Sequence, residues 1–175
     1  MEIERKFWIT SFPTQYPELV HLETDQGYLA HRPVSVRIRR SRNVNTGECT
    51  YILCIKSQGT LSRHEVETDL LPEQFDELAS MLDQPMVHKD YHAYRLPDGH
   101  VLECSVVDHG AFSYAEVEFA SEEEARSWQP LDFFGPELTW NPEFTMGAYY
   151  RNRRVPDPTR LSEKAKESAA PFPEI

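Results

Sequence analysis

Met1-Glu2-Ile3-Glu4-Arg5-Lys6-Phe7-Trp8-Ile9 sets two acids and a base at alternate positions, interleaved with Ile3 and leading into an apolar run. In an extended strand successive side chains point to opposite faces, so Glu2, Glu4 and Lys6 share one. On an isolated half-buried strand that face would simply meet water. The pattern recurs, however, with both signs of charge. Arg37 and Arg39 flank Ile38, and Lys56 lies two beyond Cys54; Arg63, Glu65 and Glu67 flank His64 and Val66, and Glu116 and Glu118 flank Val117. The opposite parity is apolar at Ile3, Val36, Ile38, Leu53, Ile55, Val66, Ala115, Val117 and Phe119. A solvent face mixes Thr, Ser, Gln and Lys, whereas these positions are almost all Glu, Arg and Lys. If the sheet closes into a barrel, one parity of every strand points into the lumen. The charged face then lines a tunnel.

Period-two segments predict strands over Glu2–Thr10, Val20–Leu29, Ser35–Ser41, Thr50–Ser57, Leu61–Leu70, His92–Leu96, His100–Val107 and Tyr114–Phe119. Turn signals such as Asn45-Thr46-Gly47, Pro97-Asp98-Gly99 and Asp108-His109-Gly110 separate them. Helices are expected at Pro72–Leu82, from the spacing of Phe75, Leu78, Ala79 and Leu82; at Ser121–Trp128, behind a Ser N-cap with Glu124 completing a capping box; and at Thr145–Asn152. The expected class is all-β dominated (α+β), a closed eight-stranded antiparallel barrel with a few peripheral helices. Residues 1–156 make one domain, and the Pro-, Lys- and Glu-rich stretch 157–175 reads as a mobile tail.

With 39% hydrophobic and 11% aromatic residues over 175 positions, the composition is that of a globular domain able to bury a core. The net charge of −11 argues against nucleic-acid and anionic-membrane partners. Basic charge is gathered at Arg37, Arg39, Arg40 and Arg42 and at Arg151, Arg153 and Arg154, which leaves a small anion as a natural ligand. Cys49, Cys54 and Cys104 have no paired spacing, no apolar leader or membrane-length run is present, and a reducing cytoplasm is the expected address. The seven histidines show no ligand spacing, so no zinc site is expected, and His64 reads as structural. The oligomeric state is open, a homodimer among the options.

Acids beside Arg and Lys in a confined space have a specific use. Hard cations such as Mg²⁺ take carboxylate oxygens and complete their shell with water and substrate phosphates. Arg grips phosphate oxygens with a fork, and Lys supplies a point charge. Glu2-Ile3-Glu4-Arg5-Lys6 is similar to the E-x-E-x-K signature of the CYTH, or triphosphate tunnel metalloenzyme, superfamily. The following elements stand in that family's order: Gln26-Gly27-Tyr28-Leu29, Val36-Arg37-Ile38-Arg39, Leu53-Cys54-Ile55-Lys56-Ser57, Arg63-His64-Glu65-Val66-Glu67, Ala115-Glu116-Val117-Glu118, Gly135-Pro136-Glu137-Leu138-Thr139 and Tyr150-Arg151-Asn152. The resemblance covers about residues 1 to 156.

It implies a tunnel that hydrolyses or rearranges triphosphates with Mg²⁺ or Mn²⁺, most similar to short bacterial inorganic triphosphatases. Glu2, Glu4, Glu116 and Glu118 then look like metal ligands, joined by Glu103, and Lys6, Arg37, Arg39, Lys56 and Arg63 like phosphate ligands. Glu4 and Lys6, with Glu65 and Glu67 orienting water or a second metal, make the catalytic set. Ser105 stands where the family has Asp, with Glu103 on the same face. Lys89 and Arg95, also candidate phosphate ligands, lie six apart where the family has a closely spaced pair, with Tyr91 and Ala93 between them. These departures keep open a polyphosphate or polyanion binder without catalysis, beside a class IV adenylate cyclase or a nucleotide or thiamine triphosphatase.

Overall fold

Residues 1–141, 143–155 and 157–159 are described by a computed structural model; nearly all of the expected tail lies outside them. The alternating segments form strands β1 (Glu2–Trp8), β2 (Glu18–Ala30), β3 (Ser35–Asn43), β4 (Cys49–Lys56), β5 (Ser62–Arg63), β6 (Glu65–Asp69), β7 (Val87–Arg95), β8 (Val101–Val107) and β9 (Phe112–Glu118). They make one antiparallel sheet in the order β5-β1-β9-β8-β7-β2-β3-β4-β6. Its two ends belong to one stretch of chain. The strand expected over Leu61–Leu70 is broken at His64: β5 pairs with β1, with Arg63 opposite Glu2, while β6 pairs with β4, with Glu65 opposite Lys56. At the break the Ser57 amide donates to the His64 carbonyl and the His64 amide to Ser57 Oγ. The expected eight staves are thus nine strands, because one stave changes partner midway, and the ring closes through it.

Beyond Ile3 the free edge of β1 is taken by residues 135–139. The Trp8 amide donates to the Pro136 carbonyl, the Leu138 amide to the Lys6 carbonyl, and the Lys6 amide to Thr139 Oγ1. Gly135 allows that approach, since a Cβ there would lie 3.0 Å from the Trp8 carbonyl oxygen.

The apolar parity of β1, β8 and β9 packs outward under covering segments rather than inward, while Ile55 on β4 and Val66 on β6 are exposed. Ile9, Leu61, Leu102, Cys104, Ala115, Val117 and Phe119 form one cluster beneath helix α2 (Glu122–Ser127) and the aromatic residues Trp128, Phe133, Phe134 and Trp140. Ser121 caps α2 as expected, accepting from the Glu124 amide. Helix α1 (Pro72–Ala79) lays Phe75 against Tyr51. A second cluster joins Phe112, Tyr114, Phe144, Tyr149 and Tyr150 of helix α3 (Met146–Asn152) to Val87 and Val107. Asp108 anchors that helix from a left-handed turn (φ 42°), accepting from the Tyr149 hydroxyl and from Arg153. Among the described residues no helix is long and apolar enough to cross a membrane.

Candidate active site

Because side-chain parity holds along each strand, the charged positions converge on one cavity of about 500 Å³. Seven glutamates (Glu2, Glu4, Glu65, Glu67, Glu103, Glu116, Glu118) and eight Lys or Arg side chains line it. Along β1 the inward face runs from Glu2 and Glu4 to Lys6 and then to Trp8, whose ring lies 6.0 Å from Phe112 and 5.9 Å from Phe144. The cavity is therefore stopped by aromatic rings beyond Lys6.

Its walls differ in sign. On β1, β9 and β8 the register sets Glu4 opposite Glu118 and Glu103 opposite Glu116. Like charges directly opposite are unfavourable in a sheet, and the titration behaviour reflects it. Burial, then Glu116 and Glu118, push the Glu103 carboxyl up to about 7. Burial with Glu2, Glu4 and Glu116 raises Glu118 as well. Glu116 itself is held down at about 2: burial works against ionisation, but the ammonium groups of Lys6 and Lys89 outweigh it.

The opposite wall is basic. Arg37, Arg39 and Lys56 come from β3 and β4, and Lys89 from β7. Arg37 and Arg39 reach Glu67 with their terminal nitrogens at 3.3 and 3.5 Å. Their Nε atoms, however, are buried with no partner among the described residues. Forked guanidinium groups lining a cavity fit an anionic oxygen ligand.

Between the walls, ion pairs hold the groups in place. Lys6 Nζ is 2.8 Å from both Glu4 and Glu116. Lys56 bridges Glu2 at 2.6 Å and Glu65 at 3.0 Å, and Arg63 spans Glu2 and Glu4 at 2.6 and 2.5 Å. Burial alone would lower the Lys6 ammonium; Glu116 and Glu4 reverse this and raise it. Lys89, deep and hydrogen-bonded to the Tyr114 hydroxyl at 3.2 Å, goes the other way. Burial, reinforced by Arg37 and Arg39, brings it down to about 8 despite Glu116. Cys54 donates its thiol to Glu65, and burial pushes it up to about 12, so it offers no thiolate. The acidic wall consists of oxygen donors, a set that suits a hard divalent cation.

Every expected site residue except Arg95 lines this cavity. Arg95 ends β7 exposed to solvent and donates to the Gly99 carbonyl at 3.0 Å, bracing the Pro97–Gly99 turn. Arg95→Ala is accordingly expected to leave the KM for a triphosphate within about twofold, read from steady-state phosphate release. Ser105 is buried beneath the cavity and hydrogen-bonded to Tyr114, so the acidic wall is carried by Glu103 two residues away. Thr24, Tyr114 and Arg151 also line the cavity. Parity along the strand marks Thr24 and Tyr114 in retrospect, but neither belongs to a charge alternation, and Arg151 sits on a helix.

No family model matches the chain. It is 35% identical over 140 residues to an inorganic triphosphatase from Nitrosomonas europaea, covering 79% of this chain and 89% of that protein. Among solved structures, the inorganic triphosphatase NE1496 superposes with a TM-score of 0.60 at 30% identity, covering 89% of this chain and 99% of that one. A protein from Pyrococcus horikoshii shares the fold at a TM-score of 0.56 and 18% identity, covering 72% of this chain and 82% of that one.

Proposed function

This chain belongs to the CYTH, or triphosphate tunnel metalloenzyme, superfamily, and from that premise we propose that it hydrolyses inorganic triphosphate with Mg²⁺ or Mn²⁺ inside the barrel. The observation that carries the reading is one cavity lined by an acidic wall of oxygen donors and, facing it, by Arg37, Arg39, Lys56 and Lys89.

Arg37, Arg39, Lys56, Arg63, Lys6 and Lys89 hold the phosphate oxygens, Arg by forked contacts and Lys by point charge. Glu2, Glu4, Glu103, Glu116 and Glu118 supply the ligands for the cation. When bound, that cation neutralises phosphate charge and withdraws electron density from the reacting phosphorus. Glu65 and Glu67, on β6 alongside β4, orient the attacking water in this reading. The P–O bond formed by water and the anhydride P–O bond broken must stand in line, and catalysis is chiefly positioning and charge stabilisation. Before substrate enters, Lys6, Lys56, Arg63, Arg37 and Arg39 are each paired with a carboxylate, as Lys6 is with Glu4 and Glu116, while Lys89 rests on the Tyr114 hydroxyl. A bound triphosphate would draw these cations away from Glu2, Glu4 and Glu116, which would then be free to hold the metal, so each ligand would remove the penalty of the other's binding. Affinity for triphosphate should therefore rise with divalent metal, and by linkage the reverse. Three free cysteines suit a cytoplasmic setting.

The test is phosphate release from inorganic triphosphate, ATP and thiamine triphosphate with Mg²⁺ or Mn²⁺, before and after chelation. Inorganic triphosphate is expected to turn over fastest, chelation to abolish turnover and either metal to restore it. Cyclic AMP formation from ATP would make the protein a cyclase instead. Triphosphate that raises the melting temperature without being hydrolysed would make it a binder.

A further inference from the structure

The outer wall of the barrel carries a second constellation that the tunnel does not use. The β2–β7 register sets His21 opposite His92, with Asp90 two residues before it. Leu22, Thr24, Lys89 and Tyr91, on the other parity, face the cavity. The two imidazole rings stack with centroids 3.9 Å apart at 19°. His21 Nε2 lies 2.6 Å and His92 Nε2 3.5 Å from the same Asp90 oxygen. The other ring nitrogen of His92, Nδ1, is 2.5 Å from Glu18.

That last contact sets the roles. With the Nδ1 proton donated to Glu18, the His92 Nε2 lone pair points at a carboxylate oxygen, an electron pair facing an anion. A single cation at the point of convergence satisfies both nitrogens and the oxygen. Two imidazoles and a carboxylate, with a further carboxylate on the far ring nitrogen, are the donor set of a borderline-soft ion such as Zn²⁺. Ligand atoms held about 2.0–2.1 Å from a tetrahedral zinc lie roughly 3.3 Å apart, so the observed 2.6 and 3.5 Å need only small side-chain shifts. Side chains 26%, 44% and 14% exposed for His21, Asp90 and His92 leave an ion a path in and water a coordination position.

We propose that His21, Asp90 and His92 form a transition-metal site of the zinc type on the outside of the barrel, with Glu18 orienting His92. Sequence spacing hid it because His21 and His92 meet only through strand pairing. The ion would stitch β2 to β7 behind Lys89.

The test titrates tag-free, full-length protein with Zn²⁺ against a chromophoric chelator, with Mg²⁺ in large excess to occupy the tunnel. About one equivalent of Zn²⁺ is expected to bind and to raise the melting temperature. His21→Gln and His92→Gln should each lose at least tenfold in affinity, and Glu18→Gln about 10- to 100-fold. Co²⁺ should give visible absorption that vanishes in His21→Gln. Retention of Zn²⁺ by both histidine variants, or its loss in Glu4→Gln alone, would overturn the proposal. If His92→Gln fails to fold by circular dichroism, the more exposed His21 variant decides.

Discussion

Replacing Glu116 with Gln is expected to lower turnover of inorganic triphosphate by about 10²- to 10³-fold, the range for removing one preorganised electrostatic group. Lys6 and Lys89 hold the Glu116 carboxyl down at about 2 although it stands opposite Glu103, so it meets a cation already ionised. Gln keeps the volume and one oxygen but removes the charge that a hard cation needs. The metal concentration for half-maximal rate should rise together with the loss of kcat. Folding is expected to survive better than activity. Lys89, already held down to about 8 and bonded to the Tyr114 hydroxyl, can shed its proton when the nearby negative charge of Glu116 disappears, while Lys6 keeps Glu4. Steady-state kinetics across a metal titration, beside a thermal melt, check this; a rate within threefold of the parent would remove Glu116 from the catalytic machinery.

A comparably large effect on stability is expected outside the tunnel, at Arg5. Its guanidinium makes a two-pronged bond to Glu137 at 2.9 and 2.8 Å. It also donates to the carbonyls of Ala125 and Trp128 and lies 5.2 Å from the centre of the Phe7 ring. One side chain therefore ties β1, the end of α2 and the 135–139 segment. Arg5→Ala would strand the Glu137 carboxylate and two carbonyl oxygens, a loss of about 3–5 kcal/mol. For a domain of this size that is a fall of roughly 10 °C in melting temperature. Arg5→Lys should recover only part of it, since an ammonium cannot reproduce the fork. Calorimetry reads both variants, and a shift below about 2 °C for Arg5→Ala would show that Arg5 does not tie these elements together.

The tunnel was legible because parity is local: knowing that Glu2, Glu4 and Lys6 share a face requires only that residues 2–8 be a strand. The same logic carried Arg37, Arg39, Lys56, Glu116 and Glu118. It failed where a neighbour decides. Arg95 has the inward parity, yet it sits at the strand end, where the turn carbonyl of Gly99 claims it. β7 begins at Val87 rather than at His92, since its inward positions hold Lys89 and Tyr91 and its outward ones His88 and Asp90, so no apolar alternation announces it. Arg5 looked like one more charge in a charged motif, because its partner Glu137 lies 132 residues away. The break at His64 is likewise a property of the closed ring rather than of the residues 61–70.

That break has a consequence for assembly. The first strand of the chain is flanked by residues 62–63 on one side and 112–118 on the other, so its hydrogen bonds span most of the domain. Such distant pairings must bear the entropy of closing long loops before they are rewarded, which slows folding. During synthesis the amino-terminal stave must wait, unpaired along β9, until more than a hundred further residues have left the ribosome. Until then the carboxylates of β1 lie apart from those of β9, and the cavity is walled in only when that late stave docks.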